Sequence, residues 1–330
     1  MPDRVRHILV AIRDLRRTPR GELRRAGALA RACGASVELF HAISEPDPAA
    51  SWPETATATF VTKRRAAIAA RCLRRLERFA SDKLLRAARV RCTVTWDFPP
   101  HEAIVRRVLA SHADLVVAAS RHHVPGARLV LRNTDWELIR LCPVPLLLVK
   151  SAREYRRPAI LAAIDPFHTH ARPADLDARL LAAGKSYAQM LHGRLHVFHA
   201  YMPLINVAMV PMSTGSMLTI PPEVEEMHGR QIERAIDRLA AGAGVPPARR
   251  HIHMGDIVGE LRAAARSTRA GLVIMGAVSR SALKRVFIGN AAERVLDSLD
   301  CDILVVKPRR FRAAVDRRPA IGVTSSLVVR

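Results

Sequence analysis

Residues 271–308 read GLVIMGAVSRSALKRVFIGNAAERVLDSLDCDILVVKP, a strand, a loop, a helix and a strand in that order. Leu272–Met275 is a short apolar run closed by Gly276, the pattern of a parallel strand buried on both faces. Gly289 and Asn290 open a stretch in which Ala292, Val295, Leu296 and Leu299 recur at three- and four-residue spacing, which predicts a helix with one apolar face. Ile303–Val306 is the second strand, stopped by Lys307 and Pro308. Such a unit leaves a loop at the carboxyl end of a strand, aimed at a helix N-terminus. There, free backbone N–H groups and the helix dipole favour an anion. Arg280, Lys284 and Arg285 add positive charge to the same loop.

Working outward, the stretch proves to lie in the second copy of a duplication. Phe40-His41-Ala42 recurs as Phe198-His199-Ala200, and Glu102 recurs as Glu260, both at a separation of 158 residues. Asn133 recurs as Asn290 at a separation of 157. Three landmarks at nearly one offset mark two copies of one unit, and the period is that of a duplicated domain rather than a solenoid. Each copy alternates strands and helices. Strands are expected to begin at His7, Ser36, Val90, Asp114 and Pro145, then at Ala159, Leu195, Arg250, Leu272 and Asp302. A helix running unbroken from Ala58 to Ala88 is expected in the first copy. The fold class is therefore α/β, with two tandem, doubly wound parallel sheets covered by helices on both faces. Ligands of such sheets sit outside the carboxyl ends of the strands, where strand order reverses. The expected domains are 1–150 and 151–310, divided in the polar stretch Ser151–Pro158. Residues 311–330 read as a mobile basic tail, with Ser326–Val329 as a weak strand signal.

Composition narrows the function. A chain of 330 residues with 49% hydrophobic residues suits two ordinary cores, and no apolar run reaches the length of a membrane span. The first residues, MPDRVRHILVAIRD, lack the apolar core of a signal peptide, so cytoplasmic residence is expected. Five scattered cysteines without a C-x-x-C pair argue against a disulfide framework or a zinc site. The net charge of +23 is mostly arginine, since only 6 of the 53 basic residues are lysine. It is spread over many predicted helices, and aromatics make up 4% of the chain, so the pattern argues against a dedicated nucleic-acid surface.

At residues 271–308 the chain resembles the signature region of the universal stress proteins, whose nucleotide-binding members carry Gly-x2-Gly-x9-Gly-Ser/Thr. The four marked positions here are Gly276, Ser279, Gly289 and Asn290, so the spacing is kept and two residue types change. FIGNAAERVLD followed by CDILVVKP is most similar to the tandem, two-domain branch of that family, the UspE type. The resemblance implies five-stranded sheets in the order 3-2-1-4-5 with a pocket between the first and fourth strands. It further implies that Asp165, after the first strand of the second copy, contacts a nucleoside. The last strands, Leu146–Val149 and Ile303–Val306, are the family's dimerisation strands; the resemblance implies an intramolecular pseudo-dimer of the two domains, with a homodimer as the other option. In the first copy Ala119, His122 and Arg132 stand opposite Gly276, Ser279 and Gly289, and Arg13-Asp14 stands opposite Asp165. Glycines let backbone approach a phosphate without a Cβ in the way, so the first copy is not expected to hold a triphosphate.

The candidate ligand site is thus in the second copy. Its anion end is Gly276, Ser279, Arg280, Lys284, Gly289 and Asn290, flanked by Asp165, His199 and Met275. Asp165 reads equally as a turn residue with Pro166, and Asn290 as a helix N-cap. His199, repeated as His41, reads either as a pocket residue or as packing with one ring nitrogen hydrogen-bonded. Tyr201–Pro222 is a long connection rich in methionine, and Met202, Ile205, Met209 and Met212 form a candidate apolar pocket. An anion end beside an apolar surface suits an acylated anionic ligand; ATP or ADP is the alternative. No G-x-S-x-G elbow, Walker lysine motif or metal-ligand spacing is present, so a binding protein is expected rather than an enzyme. Three classes stay open: a UspE-type ligand or partner binder, a nucleotide-binding protein with weak hydrolysis, and a basic nucleic-acid-associated protein.

Overall fold

The computed structural model describes residues 5–44, 58–120, 134–167, 175–204, 220–276, 290–316, 318 and 323–329, with backbone alone at 58 and 290–293. The chain divides into two compact units, one of Asp3–Glu154 with Arg309–Arg330 and one of Tyr155–Pro308.

The first unit runs β1 (His7–Ala11), α1 (Arg20–Cys33), β2 (Ser36–Ile43), α2 (Ala58–Ala80), a 3-10 turn at Lys83–Leu85, β3 (Val90–Trp96), α3 (Pro100–Ser111), β4 (Leu115–Ala119), α4 (Thr134–Leu141) and β5 (Leu146–Val149). Its parallel strands lie in the order β3-β2-β1-β4-β5. Order reverses at β1, so the ends of β1 and β4 open a crevice. Ile8, Leu9, Val10, Leu115, Val116 and Val117 are fully buried, as strands covered on both faces must be. The turn after α1 uses Gly34 at φ +70, a left-handed position whose amide caps the helix at the Ala30 carbonyl. The helix expected to continue to Ala88 stops at Ala80. The carboxylate of Asp82 accepts from the Leu84 amide and nucleates a 3-10 turn instead.

The second unit repeats the plan: β6 (Ala159–Ala163), α5 (Leu176–Met190), β7 (Arg194–Tyr201), α6 (Pro222–Gly242), a 3-10 turn at Pro247–Arg249, β8 (Arg250–Met254), α7 (Ile257–Ser267), β9 (Ala270–Gly276), α8 (Asn290–Ser298) and β10 (Asp302–Val306). Its parallel order is β8-β7-β6-β9-β10, with β6 central. Phe198 fills the core where Phe40 does in the first unit.

The segment expected as a mobile tail departs from that reading. Val323–Val328 form a strand, β11, that pairs antiparallel with β3 over six residues, from Val323 opposite Trp96 to Val328 opposite Arg91. The hydroxyls of Thr95 and Thr324 meet across the pair at 3.1 Å. The physical reason is the free edge: β3 is the last parallel strand on its side, and its unpaired N–H and C=O groups take whatever strand reaches them.

Candidate functional site

In both units the sheet ends its central strand in the same way. Past β6, the Ile164 amide donates to the Phe198 carbonyl at 3.0 Å. His199 Nδ1 lies 2.9 Å from the Ile164 carbonyl oxygen, so Nδ1 carries the proton and donates. Past β1, the Ile12 amide donates to Phe40 at 2.8 Å, and His41 Nδ1 donates to the Ile12 carbonyl at 2.7 Å. The repeated histidine is therefore a strap that fixes the backbone just before the next residue. That residue is Arg13 in the first unit and Asp165 in the second. The two occupy one structural position with opposite charge.

Around Asp165 the second unit is closely built. Asp165 is buried, and its amide donates to Asp177 Oδ1 at 3.1 Å; Asp177, the second residue of α5, is buried as well. His199 is buried against Tyr201, with ring centroids 6.3 Å apart and planes 15° from parallel. Met275 is at the buried end of β9, opposite Val305, and Gly276 is opposite Val306. A Cβ on Gly276 would stand 2.6 Å from Leu176 Cδ2 of α5, so this glycine is where a helix crosses close over a strand end. Asn290 is the first residue of α8. Met202 follows β7 and is 41% exposed. Ser279, Arg280, Lys284, Gly289, Ile205, Met209 and Met212 lie outside the described residues. The described geometry thus brings Asp165, His199, Met275 and Gly276 to the carboxyl edge of one sheet.

The first unit carries a small cavity, about 60 Å³, at the equivalent edge. Its walls are apolar, including Ile12, Phe40, Ile104 and Leu138, and its charged members are Arg13 and Asp135. Arg13 Nη2 lies 3.6 Å from Asp135 Oδ1, and the Asp135 side chain is buried. Asp135 is the second residue of α4, so a carboxylate of the chain itself sits in the first turn, where the helix dipole favours negative charge. The sequence carries Ala292 at the corresponding place of α8. Asp135, Asp177 and Leu176 were all missed in the sequence. A charge in a helix's first turn reads as ordinary capping until the strand opposite it is known.

Among the described residues, no group of three or more histidine, cysteine, aspartate or glutamate side chains is placed to hold a metal ion. No helix among them is long and apolar enough to cross a membrane.

The model of the universal stress protein family matches residues 4–150 and again 159–307. The chain belongs to the universal stress protein family. It is 28% identical over 234 residues to universal stress protein E of Escherichia coli K12, covering 68% of this chain and 70% of that one. It is 27% identical over 224 residues to the universal stress protein E homolog of Haemophilus influenzae, covering 66% and 69%. Among solved structures it is similar to a putative universal stress protein of Pseudomonas aeruginosa UCBPP-PA14, with a TM-score of 0.66 and 24% identity over 92% of this chain and 94% of that one. A universal stress protein of Archaeoglobus fulgidus matches with a TM-score of 0.56 and 14% identity, over 92% and 98%. At these identities the structural likenesses speak for the fold. The family model matches the two halves separately, so this universal stress protein carries two domains of the family.

Proposed function

We propose that this universal stress protein is a non-catalytic, cytoplasmic stress-response protein of the UspE type that acts by holding a ligand in its second unit. The observation that carries the reading is the charge reversal at one position. In the first unit Arg13 reaches a carboxylate of its own helix, Asp135, so the crevice is internally neutralised. In the second, Asp165 replaces the arginine, and Ala292 replaces the helix carboxylate. An acidic residue at the strand end, and a helix whose sequence brings no carboxylate to that one position, support a ligand with hydroxyl or amino donors at one end and an anion at the other. Asp177 and His199 direct their described hydrogen bonds to the backbone of Asp165 and Ile164, which supports bracing rather than catalysis. A bipolar ligand of this kind is a phosphorylated molecule bearing hydroxyl or amino groups. The Met-rich segment after Met202 favours one that also carries an acyl chain, because burying ten methylenes contributes about 8 kcal/mol before ordering costs.

Calorimetry with ATP, coenzyme A and palmitoyl-coenzyme A, on wild type and on Asp165→Ala, tests the reading. Palmitoyl-coenzyme A is expected to bind more tightly than coenzyme A, and Asp165→Ala to weaken binding at least about tenfold, the loss of one charge-assisted contact. Failure of all three compounds to bind, or equal binding by the variant, overturns it. A second reading, a nucleotide-binding protein with weak hydrolysis, is favoured by Asp165 itself; micromolar ATP affinity with slow phosphate release would establish it.

A further inference from the structure

The two units differ at a second pair of equivalent positions, nearer the start of the second strand of each unit. In the first unit Glu38 of β2 is fully buried. Its carboxylate accepts from Thr93 Oγ1 of β3 at 2.5 Å and from Arg107 of α3, with Nε at 2.8 Å and Nη2 at 2.7 Å; His7 Nε2 lies 3.3 Å away. The registers, Phe40 opposite Thr93 and Phe198 opposite His251, put His196 and His251 where the second unit should carry Glu38 and Thr93. The places of His7 and Arg107 are taken by Ala159 and Ala265. A four-member ionic network has become a pair of imidazoles with its ionic partners deleted.

The pair is well formed. His196 Nδ1 and His251 Nε2 are 3.0 Å apart, and the rings are 14° from parallel with centroids 5.3 Å apart, so they meet edge to edge. One nitrogen donates and the other accepts, which two fully protonated rings cannot do. The surroundings oppose added positive charge. Arg249 of the 3-10 turn and Arg194 of β7 bring positive charge to bear on His196, and His253 of β8 does so on His251. Among the described residues, Glu260 of α7 pairs with His253 at 3.4 Å, and Asp237 of α6 with Arg250 at 2.7 Å. The strand tied by this bond, β8, is the outermost of its sheet and, among the described residues, is paired with β7 alone.

We infer that the His196–His251 hydrogen bond is an acid-weakened latch on the edge strand β8, which holds that strand firmly at neutral pH and lets it open more often as the pH falls. Burial, then the neighbouring His251, Arg249 and Arg194, push the His196 imidazole down to about 4 from its ordinary 6.5. Burial, and after it His253, also lower His251. For a base whose pKa is depressed in place, the stabilisation is complete above about 6.5 and is lost as the pH falls from there toward 4. The released strand takes up protons that the latched strand refuses. The first unit has no such window at its equivalent edge, because Glu38 is compensated by Arg107 and β3 is further held by β11.

Hydrogen exchange of the full chain at pH 7.5 and pH 5, read by mass spectrometry and corrected for intrinsic exchange, tests this. Protection of Arg250–Met254 is expected to fall about tenfold or more relative to Val90–Trp96, and the fall to vanish in His196→Gln/His251→Gln, whose amides do not titrate. Parallel behaviour of the two strands in wild type, or a drop that persists in the glutamine variant, overturns the inference. Should that variant not fold, nitrogen-15 histidine titration of wild type decides. His196 is expected to titrate near 4 and His251 below its ordinary 6.5, and ordinary titration of both near 6.5 overturns it.

Discussion

A methyl group at position 276 would stand 2.6 Å from Leu176 Cδ2, and this explains a signature glycine without any ligand. Gly276→Ala is expected to cost about 1–3 kcal/mol by overpacking, and the cost to disappear in a Leu176→Ala background; a double-mutant cycle in urea measures both. Equal cost in both backgrounds would remove the packing explanation. Glu38 makes a second residue-scale prediction. Burial raises its pKa, but hydrogen bonds from His7 and Thr93 and the charge of Arg107 outweigh it, so the carboxyl titrates below its ordinary 4.5. Its contribution is therefore present above pH 4.5 and lost as the pH falls below it. Glu38→Gln is expected to cost about 3 kcal/mol at neutral pH, because Arg107 loses its partner, and to flatten that acid loss; urea midpoints across pH check it. The sequence set the pair Arg13-Asp14 opposite Asp165 without choosing between them, since the copies are not at a single offset near their starts. Ile12 and Ile164, donating to Phe40 and Phe198, fix Arg13 as the equivalent and so reveal the charge reversal.

At the scale of elements, the parallel strands were legible because burial on both faces leaves unbroken apolar runs such as Leu115–Val117 and Ile303–Val306. β11 carried no such mark. Val323, Leu327 and Val328 are exposed, so VTSSLV has no buried face to create an alternation, and its partner Thr95 lies 229 residues from Thr324. Its existence follows from the edge it covers rather than from its own pattern. A chain ending at Pro308 is expected to expose the β3 edge and to associate with itself, giving a concentration-dependent rise in mass over the full chain by light scattering. An unchanged mass would mean that β3 needs no cover.

At the scale of the molecule, the duplication could be read from three landmarks, and the family model matches both halves. The division of labour between the halves could not, because it rests on which side chains meet across a crevice. The central claim is that one unit neutralises itself through Arg13 and Asp135 while the other, with Asp165, holds the ligand. The most direct test is native mass spectrometry of the full chain with palmitoyl-coenzyme A, on wild type, Asp165→Ala and Arg13→Ala. One ligand per chain, lost in Asp165→Ala and kept in Arg13→Ala, is the predicted result. Two ligands per chain, or a single one lost with Arg13→Ala and kept with Asp165→Ala, would contradict it.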